Sequence, residues 1–238
     1  MNVNKAAILY LLPAPIVEND SHNIPAFSIE IMHSLKYFIV EKARTTRRFI
    51  SSTGYKGNIS DLTIFELDKR DAANIPEHFL KPLRDGKDMG LMSEAGMPGI
   101  ADPGAKVVEW AHKIGAKVIP LVGPSSLFLA LAASGMNGQQ FAFKGYLPVK
   151  KGELSIKLGQ IEKKILQTGE TQIFIETPYR NEQLFQSIIG QMNQNIKLCI
   201  ALDISSKDEF IKTQLIGQWK KAKMPSMHKK PCVFLLGK

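Results

Sequence analysis

Long apolar runs are missing from this 238-residue chain: none approaches the roughly 18 residues that a membrane-spanning helix needs. The start, Met1 to Lys5, is polar. The short apolar stretch Ala6–Leu12 ends in Pro13-Ala14-Pro15 with no small-residue cleavage pattern after it. It therefore reads as a first buried strand rather than a signal peptide, and the expected location is cytoplasmic. Cysteine is scarce. Cys199 and Cys232 each sit inside an apolar run, which suits buried, reduced thiols. The five histidines are scattered and no Cys/His cluster has metal-ligand spacing, so no metal site is expected. Neither the phosphate-binding P-loop pattern nor the dinucleotide pattern is present, which argues against a nucleoside triphosphate or NAD enzyme. Internal repeats, low-complexity tracts and heptads are lacking as well.

Acidic residues are fewer than basic ones, 22 against 31, leaving a formal net charge of +9. Basic residues cluster in Lys42 to Arg48 and again in Lys220 to Lys230. That balance favours a polyanionic partner, with RNA or the ribosome the expected one, against a plain solvated lysine surface. Short apolar runs alternate with helical patterns along the first half. Ala6–Leu12, Tyr37–Val40, Thr63–Leu67, Met89–Ser93 and Lys117–Leu121 read as strands. Phe27–Lys36, Thr45–Ser52, Pro76–Arg84 (made irregular by Pro82) and a stretch opened by Asp102 and closed by Gly115 read as helices. Phe27, Ile31 and Leu35 are spaced to share one helical face. Regular β-α alternation implies a parallel sheet. After Gly123-Pro124 the pattern changes. Helices are expected at Ser125–Ser134, Leu154–Gln167 and Asn181–Met192. Strands are expected at Phe141–Leu147, Thr171–Ile175, Lys197–Leu202, Phe210–Ile216 and Cys232–Leu236. The expected fold is α/β with two α/β domains: residues 1–121 with a mostly parallel sheet, and residues 122–238 with a mixed one.

Three segments carry chemistry. Met92-Ser93-Glu94-Ala95-Gly96-Met97-Pro98-Gly99-Ile100-Ala101-Asp102-Pro103-Gly104 follows a strand and opens into a helix, the place where open α/β sheets bind ligands. Three glycines and two prolines in it force a fixed irregular loop that a ligand can approach closely. Asp102 can cap the next helix with Pro103 at its first position. Gly123-Pro124-Ser125-Ser126 precedes an alanine-rich helix. Its serines can cap that helix, or its free N–H groups can meet an anionic ligand group. Phe174-Ile175-Glu176-Thr177-Pro178-Tyr179-Arg180 ends a strand, and Glu176 and Arg180 are either a surface pair of little value or pocket residues.

Together these segments resemble the tetrapyrrole-methylase-like family of S-adenosylmethionine methyltransferases, and within it the bacterial branch that 2′-O-methylates a cytidine of small-subunit ribosomal RNA. Ser93 to Gly104 matches the family's Ser-Asp-Ala-Gly-x-Pro-x-x-x-Asp-Pro-Gly, with Glu94 in place of Asp. Val122 to Ser126 with Ala130 to Gly135, Phe141 to Pro148, and Ile175 to Arg180 match three further segments in order. Departures lie elsewhere. The first loop, Pro13 to Asn19, lacks the family's glycine, and Glu-Asp-Thr-Arg becomes Glu41-Lys42-Ala43-Arg44. Asp203 to Lys207 and Lys229 to Pro231 are loose matches, and the family's C-terminal extension has no counterpart.

The resemblance implies S-adenosylmethionine in a cleft between the domains. Pro13, Met92, Ser93, Glu94, Ala95, Gly96 and Ile100 would hold it from the first domain side, with Ser125 and Ser126 at the link. Ile175, Glu176, Thr177, Ala201 and Leu202 would border the adenine. The cofactor supplies an activated methyl, so the protein contributes alignment, and a ribose hydroxyl would profit from a general base. Glu41, Asp102 and Glu176 are the candidate bases, and Arg44, Arg47 and Arg48 the candidate RNA phosphate contacts. A homodimer is also implied. Three readings stand side by side: an RNA methyltransferase, a methyltransferase of a small molecule such as a tetrapyrrole, and a catalytically degenerate S-adenosylmethionine-binding protein.

Overall fold

The computed structural model describes residues 6–18, 20–67 and 75–238. It divides into two compact units, Met1–Ser125 and Ser126–Lys238. In the first unit the strands β1 (Ile8–Leu12), β2 (Tyr37–Val40), β3 (Thr63–Glu66), β4 (Met89–Met92) and β5 (Lys117–Pro120) form a five-stranded sheet in the order β3-β2-β4-β1-β5. Every pairing in it is parallel. Parallel strands covered on both faces must be apolar at every position, and the alternation shows how. Leu9, Ile39, Met89 and Leu91 turn to one face, where they meet Leu80, Val107 and Ala111. Leu12, Phe38, Val40 and Met92 turn to the other, against Met32, Phe49 and Ile50. Each such side chain contributes about 1.5–3 kcal/mol by leaving water. Gly90 lies on the second face because a Cβ there would stand 2.5 Å from Leu12 Cδ1 and 3.0 Å from Phe38 Cδ1.

The helices of this unit are α1 (Ala26–Ser34), α2 (Ala43–Ser52), α3 (Lys81–Arg84) and α4 (Gly104–Lys113). Two expectations are corrected here. Phe27 does not share a buried face with Ile31 and Leu35. It is 62% exposed, and α1 instead buries Ser28 and Met32. Ser28 turns inward, where its hydroxyl donates to Val122 O at 3.2 Å. Pro76–Arg84 is not one helix but a 3-10 turn at Glu77–Phe79 followed by α3, with Pro82 tolerated in the first turn, where its missing N–H is not needed.

The second unit holds α5 (Ser126–Ser134), β6 (Phe141–Tyr146), α6 (Lys151–Thr168), β7 (Thr171–Ile175), α7 (Asn181–Gln191), β8 (Lys197–Leu202), β9 (Phe210–Leu215), α8 (Ile216–Trp219) and β10 (Cys232–Gly237). Its sheet runs β6-β7-β10-β8-β9, with β6 and β7 parallel and the other pairings antiparallel. It is the mixed sheet expected of this half. Phe174, Ile200, Phe234 and Leu236 pack on Leu158, Ile161 and Phe185 of α6 and α7, and Phe174 stacks on Phe234 at 5.7 Å. Ile173, Cys199, Val233 and Leu235 pack on Leu127 and Leu131 of α5. The two thiols thus turn to opposite faces of the sheet, both free and buried, and burial raises the pKa of each. The last expected strand position, Ile216, is corrected: the strand stops at Leu215, and Ile216 begins α8 fully buried.

Candidate active site

The crevice where a ligand enters an open α/β sheet lies where neighbouring strands send their connections to opposite faces. In the first unit that place is between β1 and β4. The chain leaves β1 for α1 on one face and leaves β4 for α4 on the other. The loops that follow these two strands are joined there by a two-bond bridge: Ala14 N donates to Gly96 O at 2.9 Å, and Gly96 N to Ala14 O at 3.0 Å. Gly96 has φ +72, a backbone conformation that suits glycine. Ser93 is buried and its hydroxyl lies 3.2 Å from Ala95 O and 3.3 Å from Gly96 O. Ala95, at the tip, is exposed.

Carboxylates fasten this loop through backbone N–H groups. Glu41 Oε2 accepts from Glu94 N at 2.9 Å, while Glu41 N donates to Met92 O at 3.2 Å. Asp102 accepts from Gly99 N with both oxygens at 2.9 Å and from Gly104 N at 2.6 Å. Pro103, not Asp102, occupies the cap position of α4, and the helix begins at Gly104. Asp102 therefore braces the loop and the first turn together, and proline stands one place before the first helical position expected for it. Ala101 between them has φ +62, which costs about 1–2 kcal/mol for a residue with a Cβ and persists because its neighbours fix it. Ile100 beside it is 38% exposed. Lys42 Nζ pairs with Glu94 Oε1 at 3.0 Å. Pro13 is buried against Gly123, where an added Cβ would stand 2.0 Å from Pro13 Cβ. Ser125 and Ser126 are half-buried, and Ser126 is the first residue of α5.

A cavity of about 220 Å³ adjoins the loop, walled by Ala14 to Ile16, by Thr45, Thr46 and Arg48 of α2, and by Met92 to Ala95. Of the three arginines only Arg48 lines it. Arg44 and Arg47 are exposed on the same helix. Thr45, Thr46 and a further carboxylate were not singled out from the sequence. That carboxylate is Glu66, whose Oε2 accepts from Ala43 N at 2.8 Å and so caps α2, which Lys42 cannot do. The available signal was Thr46 preceding Phe49 and Ile50 by three and four positions, which places it on their buried face.

In the second unit β7 and β8 both pair antiparallel with β10, so their carboxyl ends lie at one end of the sheet. Ile175 and Ala201 flank Val233 in one row. Leu202 is not brought to their face. It turns into the α6–α7 core. Glu176 is not part of an exposed surface pair: its side chain is fully buried and Arg180 stands 2.9 Å from Oε2, with the arginine 27% exposed. Glu176 Oε1 accepts from Thr177 N at 2.7 Å, and Thr177 itself is exposed.

The comparisons with known proteins fit this arrangement. The chain is 30% identical over 223 residues to the ribosomal RNA small subunit methyltransferase I of Buchnera aphidicola subsp. Schizaphis graminum, covering 92% of this chain and 74% of that one. The chain belongs to the ribosomal RNA small subunit methyltransferase I family. Members from Vibrio cholerae, at 31% identity over 87% of this chain and 68% of theirs, and from Bacillus subtilis, at 30% over 88% and 69%, agree. No family model matches. The crystal structure of the methyltransferase CobJ superposes with a TM-score of 0.63 at 14% identity, over 98% of this chain and 95% of that one, so the fold is shared. The chain is a methyltransferase of this family.

Proposed function

We propose that the chain transfers the methyl group of S-adenosylmethionine to ribosomal RNA, at a ribose 2′-hydroxyl, in the cytoplasm. One observation supports this above the rest: the family's motif loop, Ser93 to Gly104, stands at the β1/β4 crevice with its shape fixed by Asp102, Glu41 and the Ala14–Gly96 bridge. Ser93 to Gly96 would hold the amino-acid and ribose parts of the cofactor, which supplies the activated methyl. Pro13, Ile100, Ser125 and Ser126 belong to the same assignment, as do Ile175, Thr177 and Ala201 toward the adenine. The protein's contribution is alignment. Glu41 and Asp102 are engaged with backbone N–H groups and Glu176 with Arg180. Their first role in this reading is to hold loops in shape rather than to carry protons. The surplus of basic residues supports an RNA substrate over a small tetrapyrrole. A homodimer belongs to the same reading. It is supported by the open outer edge of strand β6, where exposed Phe141 meets exposed Phe128 edge-on at 5.9 Å.

Calorimetric titration of the full chain with S-adenosylmethionine tests the assignment. The wild type should bind at micromolar concentration, and Ala95→Trp, which fills the loop tip without touching the core, should not. A folded wild type that binds no cofactor would overturn the methyltransferase mechanism drawn here.

A further inference from the structure

Charge of one sign is gathered in the second unit. Residues 210–238 hold seven lysines and no Arg, Asp or Glu, so they carry +7 of the chain's formal +9. Residues 183–202 also lack Asp and Glu. Between α8 and β10 the chain runs back along α7. It starts beside Gln186, whose Nε2 lies 3.6 Å from Met224 Sδ, and reaches Asn181, whose Nδ2 donates to Met227 O at 3.3 Å and to Lys230 O at 2.8 Å. The apolar residues of this stretch turn in. Trp219 and Met227 are buried in the α6–α7 core, and Trp219 Nε1 donates to Leu198 O at 2.9 Å. Its lysines turn out. Lys220, Lys221, Lys223 and Lys229 are exposed, and only Lys230 is paired among the described residues, with Asp203 at 2.8 Å. Like charges gathered without counter-charges repel one another, and a polyanion relieves that repulsion. Lys229 has φ +61, which glycine adopts freely and a lysine only at a cost. Strain of this kind gathers at functional positions, and here it is kept at an exposed cation.

We infer that this face of the second unit binds the phosphate backbone of RNA. The anchored lysine segment supplies the charge. Gln183 and Gln186, exposed on α7, add uncharged donors and acceptors for sugars and base edges. Tyr179 is 71% exposed and stands edge-on to His228 at 5.9 Å. Its open ring gives an unpaired base a face to stack on, a feature that an acidic peptide would leave unused. None of these residues belongs to the loop after β4 or to the assigned cofactor contacts. The surface therefore sets affinity for the substrate and leaves cofactor binding alone. This inference rests on the RNA reading above.

The test is fluorescence anisotropy of the full chain with a labelled single-stranded oligoribonucleotide of mixed sequence, over a salt series. The first variant combines Lys220→Gln, Lys221→Gln and Lys223→Gln, and the second is Lys229→Gly. A charge-matched control combines Lys151→Gln, Lys163→Gln and Lys164→Gln on α6, where Glu153 and Glu162 interleave with the lysines. The first variant should weaken binding about tenfold at about 0.1 M salt and lower the salt slope by about 2, at roughly 0.7 per phosphate contact on a single strand. The control should stay within about threefold of the wild type. Lys229→Gly should weaken binding about threefold while melting no lower than the wild type, opposite signs that a structural role would not give. S-adenosylmethionine affinity, by calorimetry, should stay within about twofold in every variant. Equal losses in the first variant and the control overturn the surface, since net charge alone then explains binding. A first variant with the RNA affinity and slope of the wild type also overturns it, and if that variant has lost binding to a poly-glutamate peptide the face belongs to an acidic protein instead. A wild type that binds S-adenosylmethionine but no RNA overturns the RNA reading and the surface with it.

Discussion

Two loops, each leaving a buried strand and each carrying a family motif, use their acidic residues in opposite ways. In the first unit the loop after β4 is held by carboxylates on its backbone: Glu41, which follows β2, accepts from Glu94 N, and Asp102, within the loop, accepts from Gly99 N and Gly104 N. In the second unit the turn after β7 buries Glu176 entirely and sets it against the guanidinium of Arg180. A backbone N–H is a fixed donor whose position the chain path determines, so the first arrangement prescribes loop shape. A side-chain ion pair with one partner fully buried instead prescribes that the arginine stay, because Glu176 alone is a buried, unmatched charge. The first loop is thus tuned for geometry and the second is a lock on the start of α7.

The comparison breaks most visibly at Arg180. Arg180→Ala leaves the Glu176 carboxylate with only the Thr177 N–H, and unfolding stability should fall by about 3 kcal/mol, read from the denaturant midpoint at unchanged slope. Glu176→Leu combined with Arg180→Leu should recover most of that loss, since the pair's net value is small. A single variant as stable as the wild type would show that water reaches Glu176 and that the lock does not exist.

Asp102→Ala should show the other behaviour. The N–H groups of Gly99 and Gly104 lie partly in reach of water, so the stability loss is expected near 1–2 kcal/mol. Its effect on the ligand should be the larger one. With Ala101 no longer fixed at φ +62, the loop relaxes, and S-adenosylmethionine affinity should drop more than tenfold. Calorimetry and chemical denaturation on the same sample separate the two quantities. Unchanged affinity alongside lost stability would make Asp102 a helix brace and nothing more.

Much of this was readable from the residues. Strands buried on both faces announce themselves as unbroken apolar runs, and β1, β2 and β4 do so at Leu9, Phe38, Ile39 and Leu91. The motif loop was readable too, because its glycines and prolines leave the chain few conformations. What escaped depends on partners far away in sequence. Ala43 is capped by Glu66, 23 residues on. Glu176 looked like a surface residue because nothing local says that the segment before β10 packs at the end of β7, where Lys229 N donates to Pro178 O and Asn181 Nδ2 to Lys230 O. Phe27 misled only in its burial: it shares its helical spacing with Ile31, but it is 62% exposed at the first turn of α1 while Ile31 packs on the core. Thr46 was hidden among arginines, whose charge drew the reading outward while the residue that lines the cavity faced in.

The smallest effect should come from the pair Lys42–Glu94, and it sharpens the comparison from the side of the family pattern. Where that pattern places an acid at both positions, this chain has Lys42 and Glu94, 3.0 Å apart, with side chains 59% and 34% exposed. An exposed ion pair contributes about 0.2–1 kcal/mol, and screening by salt reduces it. A double-mutant cycle with Lys42→Ala and Glu94→Ala should therefore give a coupling near 0.5 kcal/mol that fades by 1 M salt. The bond from Glu94 N to Glu41 uses the backbone and survives either change. If loop shape is set by backbone acceptors, the cycle leaves cofactor affinity within about twofold while Glu41→Ala lowers it. If instead the Lys42–Glu94 variants lose affinity as Glu41→Ala does, the charge pair, and not the backbone, sets the loop, and the distinction between the two units fails at its first member.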